Sequence, residues 1–155
     1  MTTIKITTNY FAPIERVFDT NRNIDIHQQS ASKTKEIAIA GITSGLINKK
    51  ETVTWKGKHF GLYLTHQSLI SEMIFPTYFV DEQLKGHFKN FKHQHFFAQK
   101  ENFVEVTDIL EYETPFGIFG KLFDKLLLKK HLTNFIVHRN AVLKNLAENQ
   151  TCHVY

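Results

Sequence analysis

The side chains best equipped for chemistry are ionisable groups in stretches rich in Val, Ile, Thr and aromatics, an even number of residues apart where two share a stretch: Glu51 and His59, Asp81, His93 and His95, Asp108 and Tyr112. Such stretches read as β-strands, where alternate side chains point to opposite faces. In residues 50–60, Thr52, Thr54, Lys56 and Lys58 fall on one face, and Glu51, Val53, Trp55, Gly57 and His59 on the other. The lysine face is the solvated one, so Trp55 and His59 point inward. By the same count Phe91, His93, His95 and Phe97 oppose Asn90, Lys92 and Gln94, and Val106, Asp108, Leu110 and Tyr112 oppose Glu105, Thr107 and Glu111. Asp81 goes with Phe79 and Gln83.

Ionisable groups turned inward among aromatics are costly unless paired or wet. Two readings stay open. The groups form structural histidine–carboxylate contacts that anchor strands and helix, or they are the polar end of a ligand pocket whose aromatic walls hold an apolar body. His93 or His95 beside Asp108 and Tyr112 also supplies the types needed for general acid–base catalysis. His93 and His95 could reach one metal ion, with His59 as a third ligand. Two histidines at that spacing are a weak signal without a cysteine or compact acidic ligand nearby, so no metal site is assigned.

These strands need partners. Residues 2–10 alternate as a strand, and residues 14–20, with Pro13 at their start, and 24–30 read as two short helices. Residues 35–47, 50–60, 62–75, 77–84, 88–98 and 102–112 read as strands. Their short separations favour an antiparallel meander, because parallel neighbours need long crossovers. Residues 115–147 then read as one long helix with no internal proline. In its second half, Leu132, Phe135, Ile136, Arg139, Val142, Leu143 and Leu146 make a core stripe. Arg139, on that stripe, is a counter-ion for Asp81 or Asp108, or the anchor of an acidic ligand.

The first half carries a different stripe: Phe116, Phe119, Leu122, Phe123 and Leu126, followed by Leu127, with Lys121, Lys125 and Lys129 opposite. The two stripes point in roughly opposite directions, so either the helix kinks or breaks near residues 128–131 or its front covers something its back does not. The front face packs against sheet or small helices near a cavity mouth, or it makes transient contact with an anionic membrane through residues 116–130. Gly117 and Gly120 either let this end move or allow close packing.

Composition limits the function classes. The 155 residues suit one domain, residues 1–150, with a frayed tail at 151–155. The nineteen Lys and Arg give a net charge of +4 but are spread singly, which argues against a nucleic-acid surface. The one cysteine, Cys152, fits a reducing compartment, and with no long apolar run or leader the expected location is cytoplasmic. There is no nucleophile elbow, phosphate-binding glycine loop or dinucleotide fingerprint, and no cofactor is expected. Oligomeric state is left open.

A strand, two small helices, a curved antiparallel sheet of about six to seven strands and a long C-terminal helix make an α+β helix-grip fold. The run Glu51-Thr52-Val53-Thr54-Trp55, with His59-Phe60-Gly61, Phe79-Val80-Asp81-Glu82-Gln83, Gly86-His87-Phe88-Lys89, His93-Gln94-His95-Phe96, Thr107-Asp108, Tyr112, Pro115-Phe116-Gly117 and Arg139-Asn140, resembles the START-like superfamily. It looks like the bacterial ligand-binding branch of the polyketide cyclase/dehydrase and lipid-transport type, which shares the Bet v 1-like fold. The resemblance implies a binding or carrier protein for a small hydrophobic molecule, lipid-like or polycyclic, held between sheet and C-terminal helix. The alternative is a cyclase- or dehydratase-like enzyme using inward His and Asp residues as general acid and base. The expected ligand-facing residues are Trp55, His59, Phe79, Asp81, Phe91, His93, His95, Asp108, Tyr112 and Arg139, with His93, His95, Asp108 and Tyr112 as the catalytic candidates.

Overall fold

Alternating burial along the strands organises the protein, whose computed structural model describes residues 1–149. The expected domain end at residue 150 and the tail at 151–155 lie outside the described residues. Seven strands form one antiparallel sheet: β1 (Thr2–Tyr10), β2 (Ile37–Gly41), β3 (Thr52–His59), β4 (Leu62–Ile74), β5 (Tyr78–Lys85), β6 (Asn90–Gln99) and β7 (Val104–Glu113). Their order is β1-β7-β6-β5-β4-β3-β2, so the meander from β2 to β7 closes by pairing β7 with β1. In β7 every second residue from Val104 to Tyr112 is buried, as the alternation requires.

Strand β2 is shorter than the expected 35–47. Gly41, at φ +73°, ends it where an added Cβ would lie 2.2 Å from the Thr52 carbonyl oxygen, and residues 42–51 form a loop. Glu51 therefore precedes β3 instead of facing inward: its carboxylate accepts the Asn48 backbone N–H at 2.7 Å and closes the turn.

Helices α1 (Ile14–Asn21) and α2 (Ile24–Ser30) bridge the two edges of the sheet. Asn23 caps α2 by accepting from Ile26 N. The C-terminal helix runs from Gly117 to Asn149 as α3 (Gly117–Phe123), a π-helical turn (Asp124–Leu128) and α4 (Lys129–Asn149). Gly120, Asp124, Leu128, Leu132, Ile136 and Asn140 are buried at a spacing of four. In an ideal α-helix each four-residue step overshoots a full turn by about 40°. The wider π turn under-rotates and brings that line back to face the sheet. The helix thus runs unbroken through 128–131; it is rephased by the π turn just before.

The front stripe is left outside. Phe116 is 83% exposed and Phe119 78%, while Leu122, Phe123, Leu126 and Leu127 are also exposed, so most of this face does not pack against the sheet or the small helices. Gly120 serves close packing, since a Cβ there would sit 1.8 Å from the Pro115 carbonyl oxygen.

Two apolar clusters hold sheet and helices together. One gathers Val17 and Phe18 of α1, Phe79, Phe97, Val104, Val106 and the helix residues Leu143 and Ala147. The other joins Ile4, Leu110 and Tyr112 to Leu128, Leu132 and Ile136. No helix among the described residues is long and apolar enough to cross a membrane.

Candidate functional site

Between the concave face of the sheet and the C-terminal helix lies a cavity of about 660 Å³. Its walls are mostly apolar, from Ile24, Val53, Trp55, Ile70, Phe79, Phe91, Leu110, Leu132 and Ile136. Phe60, Phe116, Phe119 and Phe123 also line it while being exposed, and so mark its mouth. There the Phe60 ring meets Phe123 edge-on at 5.2 Å and lies 4.6 Å from His131. Seven of the nine histidines line this cavity: His27, His59, His66, His87, His93, His95 and His131.

Two polar clusters interrupt the apolar wall. The first centres on Asp108 of β7, buried behind His93 and His95 of β6. His93 Nε2 hydrogen-bonds Asp108 Oδ1 at 3.1 Å. His95 Nδ1 touches the same oxygen at 2.7 Å, off the line of a hydrogen bond. Asn140 Nδ2 donates to the other carboxylate oxygen at 2.6 Å. Burial alone would raise the Asp108 pKa, but its contacts with His93 and His95 outweigh it and hold the carboxyl well below the usual range. Burial, aided by His93, pushes His95 down to about 4, so its ring is neutral at pH 7. That ring stacks on Phe79 at 4.2 Å.

Arg139 is buried on the cavity wall, yet among the described residues it forms no ion pair with Asp81 or Asp108. Its guanidinium donates to the Asn21 carbonyl at 3.2 Å and to Asn140 Oδ1 at 3.3 Å, so Asn140 bridges it to Asp108.

The second cluster was not visible in the sequence. Glu36, in the short link before β2, receives His27 of α2 at 2.8 Å and His59 of β3 at 3.3 Å. His59 Nδ1 in turn lies 3.0 Å from His131 Nε2 of α4. Burial raises the Glu36 pKa, but the two histidine hydrogen bonds prevail and bring it to about 2. His27 also stacks on Trp55 at 4.1 Å. The usable signal was Gly57, the one small residue on an inward face of large ones. A Cβ there would come within 2.6 Å of Glu36 Cγ.

Of the expected ligand-facing residues, Trp55, His59, Phe79, Asp81, Phe91, His93, His95 and Arg139 line the cavity. Asp108 does not; it stands one layer behind the two histidines. Tyr112 does not either, because its hydroxyl turns to the helix and donates to Asp124 at 2.5 Å. Alternation assigns a face to a side chain, but not which of the layers beneath that face it reaches. As a third metal ligand, His59 is displaced by Asp81, whose donor atom lies within 4.8 Å of those of His93 and His95.

No family model matches the chain, and no curated protein matches it in sequence. Solved structures do match in shape. A START superfamily protein from Mycobacterium smegmatis superposes with a TM-score of 0.72 at 13% identity, over 96% of this chain and 99% of the other. Ginseng major latex-like protein 151 from Panax ginseng gives 0.68 at 12% identity, over 94% and 97%. A protein from Thermus thermophilus gives 0.70 at 14% identity, over 94% and 99%. At such identities the likeness is one of fold: this chain adopts the START/Bet v 1-like helix-grip fold.

Proposed function

We propose that the protein binds a small hydrophobic molecule in the cavity between sheet and C-terminal helix and acts as its carrier in the cytoplasm. The observation that supports this most is the cavity itself: about 660 Å³, walled by Trp, Phe, Ile and Leu, with its few polar groups gathered in two clusters. That combination suits a lipid-like or polycyclic body bearing one or two polar groups. The exposed front of the helix fits the same role. Phe116, Ile118, Phe119, Leu122 and Leu126 form an apolar surface at the mouth, edged by Lys121, Lys125 and Lys129. An anionic bilayer would take the apolar face into its interface and attract the lysines, at about 1 kcal/mol each.

The test is native mass spectrometry of protein purified from its own source, followed by denaturing extraction. The expected result is one recurring apolar molecule per chain. Protein that stays empty, and that also fails to take up any fluorescent apolar probe at one per chain, rules the reading out.

A second reading, a cyclase- or dehydratase-like enzyme, is favoured by His93 and His95 standing on the cavity wall against an ionised Asp108. Incubating the extracted molecule with fresh protein separates the two. A carrier returns it unchanged, whereas an enzyme converts it.

A further inference from the structure

One carboxylate in this cavity is not answered by the pairings described above. Glu36 is met by His27 and His59, and Asp108 by His93, His95 and Asn140. Asp81 Oδ1 is buried and has no hydrogen-bond partner among the described residues. A carboxylate oxygen in that state is costly, so something is expected to complete it. Asp81 pairs with His93 across the β5–β6 register, and His95 follows on the same face. Donor atoms of all three lie within 4.8 Å of one another.

We propose that Asp81, His93 and His95 form a binding site for one divalent transition-metal ion, with the remaining coordination positions open to the cavity. Two imidazoles and a carboxylate suit a borderline ion such as Zn²⁺, whereas Ca²⁺ and Mg²⁺ prefer oxygen alone. Tetrahedral donors about 2.1 Å from Zn²⁺ stand about 3.4 Å apart. The donors, now within 4.8 Å of one another, would have to draw in to that spacing around an ion.

What lies behind the three residues supports the assignment. Asp108 touches Nε2 of His93 and Nδ1 of His95, which leaves the opposite nitrogen of each ring for an ion. A carboxylate hydrogen-bonded behind a histidine, as Asp108 is to His93, fixes its tautomer and orientation and makes it a better ligand; its contact with His95 adds charge alone. Asn140, at 2.6 Å, fixes that carboxylate in turn. Anchoring a strand needs one histidine on Asp108; a second histidine on the same oxygen is accounted for by a shared ion in front of both rings.

The experiment needs only the metal. Full-length protein stripped with a chelator is titrated with Zn²⁺ by calorimetry and native mass spectrometry, and with Co²⁺ by visible absorption. The expected result is one ion per chain and a Co²⁺ spectrum typical of nitrogen and oxygen ligands in low coordination. Asp81→Asn and His95→Gln should each weaken binding at least ten-fold, and Asp108→Asn about 10–100-fold. His138→Gln and Cys152→Ser should leave it unchanged. Absence of a bound ion in the wild type, or Asp81→Asn binding as tightly as wild type, overturns the proposal. Should Asp81→Asn not fold, the histidine ring resonances of the wild type decide. Zn²⁺ must move those of His93 and His95; movement confined to His27, His59 and His131 places the ion at the other cluster and overturns the assignment. Because no apolar ligand is used, this outcome is independent of the carrier reading.

Discussion

Glu36 shows how a single buried residue can tie acid stability to the site. Its carboxylate is 13% exposed and faces His27 from α2, His59 from β3 and, through His59, His131 from α4; His66 of β4 also senses its charge. Its pKa falls from an ordinary 4.5 to about 2 on folding. A depressed acid stabilises the fold above its unfolded pKa and loses that contribution as pH drops toward the folded value. The shift corresponds to about 3 kcal/mol. Urea unfolding of wild type and Glu36→Gln should therefore differ by a constant amount above about pH 4.5, and the gap should shrink steadily toward pH 2; a gap that widens on acidification contradicts the assignment. Gly57→Ala attacks the same seat sterically, since the added methyl would lie 2.6 Å from Glu36 Cγ. It should cost about 1–3 kcal/mol by the same measurement, and the pH-dependent gap to Glu36→Gln should narrow.

At the scale of the element, the π turn decides which side of the long helix sees the sheet. Asp124 opens that turn, is itself buried, and accepts hydrogen bonds from Thr2 Oγ1 and Tyr112 Oη, each at 2.5 Å. Burial and the neighbouring Asp124 charge raise the Tyr112 pKa, which keeps its hydroxyl a donor throughout the physiological range. The helix is thus pinned to β1 and β7 where its phase changes. Asp124→Ala leaves both hydroxyls without their acceptor and should lower stability by about 1.5–3 kcal/mol per lost charged hydrogen bond, read as a fall in melting temperature. Tyr112→Phe removes one donor and should cost about half as much. On the exposed side of the same helix, Phe119→Glu should change folding stability by no more than about 0.5 kcal/mol. It should nevertheless abolish co-sedimentation with phosphatidylglycerol-containing vesicles if that face docks on anionic membranes.

For the molecule as a whole, the cavity is lined by members of both apolar clusters, among them Trp55 and Phe79 of one and Leu110 and Leu132 of the other, with His93, His95 and Arg139 as polar neighbours. A molecule filling that space joins the clusters and stabilises only the folded state. At a free concentration a hundred times its Kd it should add about 2.7 kcal/mol, a rise of about 5–10 °C in melting temperature for a chain of this size. Ser68, small and buried on the β4 wall, is the place to block it. Ser68→Phe should keep the fold, since the ring enters existing space, yet cancel the ligand-induced rise; an undiminished rise would place the ligand elsewhere.

Sequence alone was enough for the helix-grip fold, because each part of it is written locally. Period-two alternation in residues 50–60, 88–98 and 102–112 named the inward faces, Pro13 marked a helix start, and short turns favoured an antiparallel meander. It also named eight side chains of the cavity wall, among them Trp55 and Arg139, since facing inward is a property of one strand or one helix. Depth, partnership and phase arose only in three dimensions. Asp108 stands behind its histidines and Tyr112 turns to Asp124 because layers above a strand face are set by what the opposite helix brings. Glu36 gathers His27, His59 and, through His59, His131 from three separate segments, a convergence that no spacing along the chain records. The π turn is of the same kind: it exists because a line of residues four apart must stay on one sheet, and that demand comes from the sheet rather than from the helix.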